Sequence, residues 1–145
     1  MADKFDFEWN QGEDYTLSLI YKSGPTGSEI PVDLTLYSLR MDIIGPDGKI
    51  LSILNDEQIL DTDPNTAGNQ TDTVPYEVTM GNAGQITIVL ARALTLVGGP
   101  FYRYINSNPS SLVFSYDIFL RDSTNKQRKI MYGDITVVKS VTKWA

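Results

Sequence analysis

The chain has 145 residues, of which 41% are hydrophobic and 21% charged, and its net charge is −6. This size and balance are typical of one folded domain that can bury a core without disulfides. The chain contains neither cysteine nor histidine, which excludes thiol catalysis, zinc–thiolate sites and histidine-based acid–base catalysis. Its negative charge disfavours nucleic acid as a partner.

Membrane insertion and secretion are not expected. No apolar run approaches the roughly 18–20 residues that a membrane-spanning helix needs. The N-terminal residues are acidic and lack the basic and apolar regions of a signal peptide. We therefore expect the protein to be made in a cytoplasm and to have no membrane partner.

Apolar residues recur with a period of two along short segments, as in strands with one buried face. These segments are residues 5–9, 15–21, 39–43, 74–80, 84–90, 112–120 and 135–139, with a further apolar run at 50–51. No alternation of strands with long helices appears, which disfavours a parallel α/β fold. The pattern predicts one domain over residues 1–145: an all-β, immunoglobulin-like antiparallel β-sandwich of about eight strands.

The turn residues agree with this prediction. Gly45-Pro46-Asp47-Gly48 and residues 122–126 each separate two strand-like runs, and both predict hairpins. Only residues 90–96 favour a helix, and they are long enough for one short helical turn. Two longer connections, 55–73 and 98–111, are long for plain hairpin loops, and loops of this length often carry function.

The acidic side chains were considered as metal ligands and as catalytic groups. Asp61, Asp63, Asn65 and Asp72 alternate like the ligands of a calcium loop, but Thr66 stands where such a loop needs glycine. A solvated turn explains them equally well, so we predict no metal and no cofactor. The adjacent acids at 13–14 and 56–57 show no sign of converging in a cleft, and we expect no enzymatic activity.

The aromatic segment Phe101, Tyr102, Arg103 and Tyr104 is the main candidate for binding. Tyr, Phe and Arg are enriched at interface hot spots, which favours a protein interface. Two alternatives remain open: a platform on which sugars stack, and core residues of an unrecognised strand.

Three further residues complete the interface candidates. Trp144 lies close to the chain end, where it could anchor the chain to a neighbour, and Asp61 and Asp63 lie in the long polar connection. Trp9, flanked by alternating aromatics, is expected in the core.

Charge is unevenly distributed along the chain. Residues 1–72 carry a balance of −10 and residues 73–145 a balance of +4. Such polarity could join copies head to tail through complementary patches. Alternatively, strands from the two halves interleave and the asymmetry averages out over the surface.

Five motifs follow one another along nearly the whole chain. They are Trp9-Asn10-Gln11-Gly12-Glu13-Asp14-Tyr15, Ile30-Pro31-Val32-Asp33-Leu34-Thr35, Gly84-Gln85-Ile86-Thr87-Ile88-Val89-Leu90, Tyr116-Asp117-Ile118-Phe119-Leu120 and Gly133-Asp134-Ile135-Thr136-Val137. In this order they resemble a family of small β-sandwich domains of phage tails. The family is found in the tail-fibre connector and collar proteins of long-tailed phages.

The resemblance implies a structural virion protein of the bacteriophage tail tip, a collar or connector that attaches tail fibres to the tail. Its implied partners are copies of itself in a ring, a tail tube or baseplate protein, and a tail fibre protein. Matching to trimeric fibres predicts a subunit number divisible by three. The alternative is a carbohydrate-binding β-sandwich for host recognition that uses the aromatic segment.

Overall fold

The computed structural model describes residues 2–55, 75–107 and 110–141. Within these ranges the chain forms eleven strands: β1 (Asp3–Lys4), β2 (Phe7–Asn10), β3 (Tyr15–Ile20), β4 (Lys22–Ser23), β5 (Ile30–Pro31), β6 (Ser38–Gly45), β7 (Gly48–Leu54), β8 (Tyr76–Met80), β9 (Gln85–Leu90), β10 (Ser111–Arg121) and β11 (Gln127–Val138). A 3-10 helix (Arg92–Leu94) and one α-helix, α1 (Tyr102–Asn106), lie between β9 and β10. None of the helices in these ranges has the length and apolar character needed to cross a membrane.

The larger sheet has the order β1-β11-β10-β6-β7, and β2 pairs with β11 farther along. Its long strands pair antiparallel, as predicted, through the β6–β7 and β10–β11 hairpins. The two N-terminal strands differ, because β1 and β2 both run parallel to β11. Strands from both halves of the chain therefore lie side by side in this sheet.

The smaller sheet has the antiparallel order β3-β9-β8, and β4 and β5 form a separate short hairpin. These two strand sets reproduce the sheet order of an immunoglobulin-like sandwich. Eight of the strands have four or more residues, and the other three have two. The prediction of an all-β sandwich with about eight strands is confirmed.

The core lies between the two sheets and consists of the residues that the period-two pattern turns inward. Strand β10 shows this alternation most clearly, since Phe114, Tyr116, Ile118 and Leu120 are buried. Trp9 is buried, as expected. Burying each such apolar side chain contributes about 1.5–3 kcal/mol, which stabilises the sandwich without cross-links.

Both predicted hairpins are present. In the β6–β7 turn, Gly48 has φ 126°, a conformation that favours glycine. In the β10–β11 turn the carboxylate of Asp122 accepts hydrogen bonds from the backbone N–H groups of Thr124 and Lys126 at 2.8 and 3.0 Å. Asn125, at φ 68°, completes that turn.

The structure also bears on the predicted helical turn and on the two long connections. The predicted helical turn at 90–96 is the 3-10 helix. The segment 98–111, predicted as a loop, instead contains α1; five residues are too few for a periodic signal in the sequence. Most of the connection 55–73 lies outside the described residues.

Candidate interaction surface

The connection between β9 and β10 folds back on itself and thereby positions α1. The N–H of Gly99 donates to the carbonyl of Leu96 at 2.8 Å, and the N–H of Phe101 donates to that of Leu94 at 3.1 Å. A Cβ atom at Gly99 would lie 2.2 Å from the carbonyl oxygen of Ala93. Glycine is therefore required there, because the backbone approaches too closely for any side chain.

Phe101 anchors α1 in the core. Its side chain is fully buried. Its ring centroid lies 5.6 Å from that of Trp9 and 5.0 Å from that of Phe114, and both contacts are edge-to-face. For this residue the core interpretation replaces the interface prediction, since a buried ring offers no surface to a partner.

Tyr104 is half-buried, with its ring centroid 6.1 Å from that of Phe114. Its hydroxyl is hydrogen-bonded to the carboxylate of Asp47 in the β6–β7 turn and to the guanidinium of Arg103. Tyr104 therefore connects α1 to the β6–β7 hairpin turn of the larger sheet.

Arg103 is held in place although it is largely exposed. One guanidinium nitrogen lies 3.5 Å from Oδ2 of Asp47, and the guanidinium carbon lies 4.5 Å from the ring centroid of Tyr104. Its side chain retains 73% of its accessible area. These contacts restrict the guanidinium while leaving it exposed, so it loses less entropy on binding a partner than an arginine without them would lose.

A cleft of about 430 Å³ adjoins this network. Its lining includes Pro100, Tyr102, Arg103, Tyr104, Lys49 and Ile50. We call Asp47, Lys49, Tyr102, Arg103 and Tyr104 the α1 surface. It combines two tyrosines and an arginine, residue types that are enriched at protein interfaces, with a lysine and a carboxylate.

Gln11 and Thr95 form a buried polar pair that the sequence does not indicate. The side-chain amide of Gln11 donates to the carbonyl of Thr95 at 3.0 Å, and its oxygen accepts from the N–H of Ser140 at 3.2 Å. The hydroxyl of Thr95 accepts from the N–H of Gly12 at 2.9 Å. Gln11 and Gly12 belong to the first of the five ordered motifs, but nothing in the sequence connects them to Thr95.

The other predicted site residues are not brought to the α1 surface. Asp61, Asp63 and Trp144 lie outside the described residues. Within the described ranges, no group of three or more acidic side chains is placed to hold a metal ion.

Three ionisable side chains are held by contacts within the fold. Burial alone would raise the pKa of Asp42, but hydrogen bonds from Ser52 and Arg40, with the charges of Arg40 and Lys49, outweigh it and lower that pKa. Burial, with a smaller contribution from Asp6, raises the pKa of Tyr116 well above its usual range. Asp14, one of the acids considered for catalysis, instead accepts from the N–H of Arg92 at 2.7 Å.

No protein-family model matches the chain, and no curated protein matches it significantly. Among solved structures, the chain is similar to murine CRIg, with a TM-score of 0.41 and 10% identity, covering 93% of this chain and 92% of that one. The CooA pilin subunit from enterotoxigenic Escherichia coli has a TM-score of 0.36 and 12% identity, covering 97% and 92%.

A third similar structure is the Enterococcus faecalis MSCRAMM ACE, which binds its ligands by the collagen hug model. It has a TM-score of 0.33 and 12% identity over 92% of this chain, which spans only 42% of that protein. Similarities of this size carry no functional argument, and the fold assignment rests on the strand order itself.

Proposed function

We propose that this chain is a non-enzymatic structural protein of a bacteriophage tail tip, in which it forms a collar or connector that attaches tail fibres. The proposal takes its biological setting from the ordered motifs that resemble phage tail β-sandwich domains. The partners are copies of the same chain, a tail tube or baseplate protein, and a tail fibre protein. The protein is made in the host cytoplasm and resides in the virion.

The observation that carries the binding role is the exposure of Arg103, in contact with Asp47 and Tyr104, beside Tyr102. Asp47 and Tyr104 hold Arg103 from one side, and the buried Phe101 fixes the helix that bears it. Preorganised Arg and Tyr side chains supply interface energy at low entropic cost. The neighbouring cleft suits an apolar side chain, and Lys49 with Arg103 suits a carboxylate beside it.

The alternative carbohydrate-binding function has less support from the same geometry. A stacking platform needs open aromatic faces, and the ring of Tyr104 is packed against Phe114 with its hydroxyl held by Asp47. This leaves Tyr102 as the one tyrosine of the segment without such a described contact. A glycan array tests this alternative, with saturable binding that Tyr102→Ala abolishes as the supporting result.

Native mass spectrometry tests the structural role. We expect the purified protein to form a closed oligomer with a subunit number divisible by three, and to bind tail-tip or fibre proteins encoded beside it. Tyr102→Ala and Arg103→Ala should each weaken binding to such a protein about tenfold or more. Tyr132→Ala provides the matched control, because Tyr132 is an exposed tyrosine of β11 in the larger sheet, outside the α1 surface.

Two results would contradict the proposal. One is a strictly monomeric protein that binds no tail component at high concentration. The other is undiminished binding in both α1 variants, which would remove the α1 surface from the interface.

A further inference from the structure

The β6–β7 turn contains Asp47-Gly48, the one aspartate–glycine pair of the sequence, in which no asparagine precedes a glycine. The side chain of Asp47 retains 63% of its accessible area. Gly48 is also exposed, and a Cβ atom built on it would meet nothing within 4 Å apart from its chain neighbours. Solvent therefore reaches both the carboxyl group and the residue that follows it.

A peptide bond between aspartate and glycine is open to an internal reaction. The backbone nitrogen of Gly48 can attack Cγ of Asp47, since glycine has no side chain to obstruct the approach. A C–N bond forms and a Cγ–O bond breaks. The oxygen leaves as water with the amide proton and one proton from solvent, and a cyclic succinimide results. Water then adds to either carbonyl of the ring, which restores aspartate or produces isoaspartate.

Two contacts with α1 oppose this reaction. Oδ1 of Asp47 accepts a hydrogen bond from the hydroxyl of Tyr104, and Oδ2 lies 3.5 Å from a guanidinium nitrogen of Arg103. Each carboxylate oxygen thus has a partner, and whichever oxygen leaves as water must first give up that contact. The ring of Tyr104 packs against Phe114, which holds its hydroxyl in place.

The β10–β11 turn provides an internal comparison. Asp122 is followed by Ser123, whose side chain stands beside the nitrogen that would attack. Oδ1 of Asp122 accepts from the N–H groups of Thr124 and Lys126 at 2.8 and 3.0 Å. The two hairpins therefore differ both in the residue after the aspartate and in what holds its carboxylate.

We propose that Asp47 is a modification site at which the folded protein converts to isoaspartate, and that Tyr104 and Arg103 slow the conversion. Isoaspartate carries the main chain through Cβ and Cγ, which lengthens the β6–β7 turn. Its free carboxylate sits directly on Cα, one carbon closer to the main chain, so it no longer matches the positions of its two partners on α1. The modification changes the α1 surface, but the proposal does not depend on what that surface binds.

The experiment follows heavy oxygen from labelled water into residue 47. Each passage through the succinimide takes up one oxygen from water, whether it ends in aspartate or in isoaspartate. The purified protein is incubated at neutral pH in labelled water and digested in ordinary water. Fragmentation of the tryptic peptide 41–49 distinguishes Asp47 from Asp42, and enzymatic methylation detects isoaspartate. We expect label and isoaspartate to accumulate at Asp47 faster than at Asp122.

Tyr104→Phe isolates the effect of the hydroxyl, because the ring keeps its packing against Phe114. In the folded protein this variant should raise the labelling rate at Asp47 about twofold to tenfold. Tyr132→Phe is the matched control, since it removes an exposed hydroxyl from β11, outside the α1 surface, and should leave the rate unchanged. In concentrated urea the wild type and Tyr104→Phe should react equally fast, because unfolding breaks the contact.

A second variant covers the case in which Tyr104→Phe does not fold. Arg103→Ala lies at an exposed position, removes the partner of Oδ2 and should also raise the labelling rate. Two results would overturn the modification site: no label at Asp47 in the folded wild type while the unfolded chain reacts there, or faster labelling at Asp122. An unchanged or slower rate in Tyr104→Phe and Arg103→Ala would overturn the part of the proposal that concerns α1.

Discussion

The side-chain amide of Gln11 donates to the carbonyl oxygen of Thr95 at 3.0 Å, across 84 positions of sequence. Gln11 also accepts from the backbone of Ser140, and Thr95 accepts from that of Gly12. Both side chains are buried. One polar pair thus joins the turn after β2, the 3-10 helix and the segment after β11.

Removing the hydroxyl of Thr95 should destabilise the fold. Thr95→Val keeps the shape of the side chain but leaves the N–H of Gly12 without its acceptor, which costs about 1–3 kcal/mol. Urea unfolding measures the change in the free energy of unfolding. Thr79→Val, on an exposed position of β8, is the control and should stay within about 0.5 kcal/mol. Equal losses in the two variants would show that the buried pair contributes no more to the free energy of unfolding than an exposed threonine does.

Gly99→Ala should also destabilise the protein, because the new Cβ meets backbone atoms that cannot move aside easily. We expect a loss of about 1–3 kcal/mol in thermal or urea unfolding. Gly81→Ala is the matched variant, since its Cβ would meet the flexible side chain of Gln85 instead. If Gly99→Ala is as stable as Gly81→Ala, the close approach beside α1 is not required.

Phe101 and Tyr102 are neighbours in sequence with opposite roles. Phe101→Ala should cost about 3–5 kcal/mol, because it leaves a cavity between Trp9 and Phe114. Tyr102→Ala should cost less than about 1 kcal/mol. Calorimetry distinguishes the two, and a large loss for Tyr102→Ala would place that ring in the core as well.

The lowered pKa of Asp42 predicts part of the loss of folding stability at low pH. A carboxyl whose pKa is lower in the folded than in the unfolded chain stabilises the fold above its ordinary pKa of 3.8. That stabilisation is lost as pH falls through the lower, folded value. Unfolding free energies measured from about pH 5 down to pH 2 should therefore decline less steeply in Asp42→Asn than in wild type. Identical slopes would mean that other carboxyls account for the whole decline.

The sandwich was predictable because period-two patterning and turn residues act locally. The series Phe114, Tyr116, Ile118 and Leu120 indicated both a strand and its buried face, and Asp122 with Asn125 indicated the turn that follows. The strand order was not predictable in the same way. Nothing local indicates that β1 and β2 run parallel to β11, since that pairing depends on contacts between distant segments.

The α1 surface was predictable in composition and not in geometry. The sequence placed Phe101 and Arg103 in one aromatic segment, but it could not show that one ring points inward and the guanidinium outward. The opposite directions of these two side chains depend on α1, and a helix of a single turn produces no clear periodicity in the sequence. The partnership of Tyr104 with Asp47 spans 57 positions and has no sequence signature.

The parallel pairing of β2 with β11 bears on the order in which the chain folds. Phe7 lies opposite Ile135, so β2 lacks this partner until β11 has left the ribosome. The β6–β7 and β10–β11 hairpins close over short loops and can form first. Pulse-labelled hydrogen exchange during refolding should find the amides of β2 protected after those of the hairpins. Until then Phe5 and Phe7 remain open to chaperones, and premature chain termination leaves them permanently unpaired.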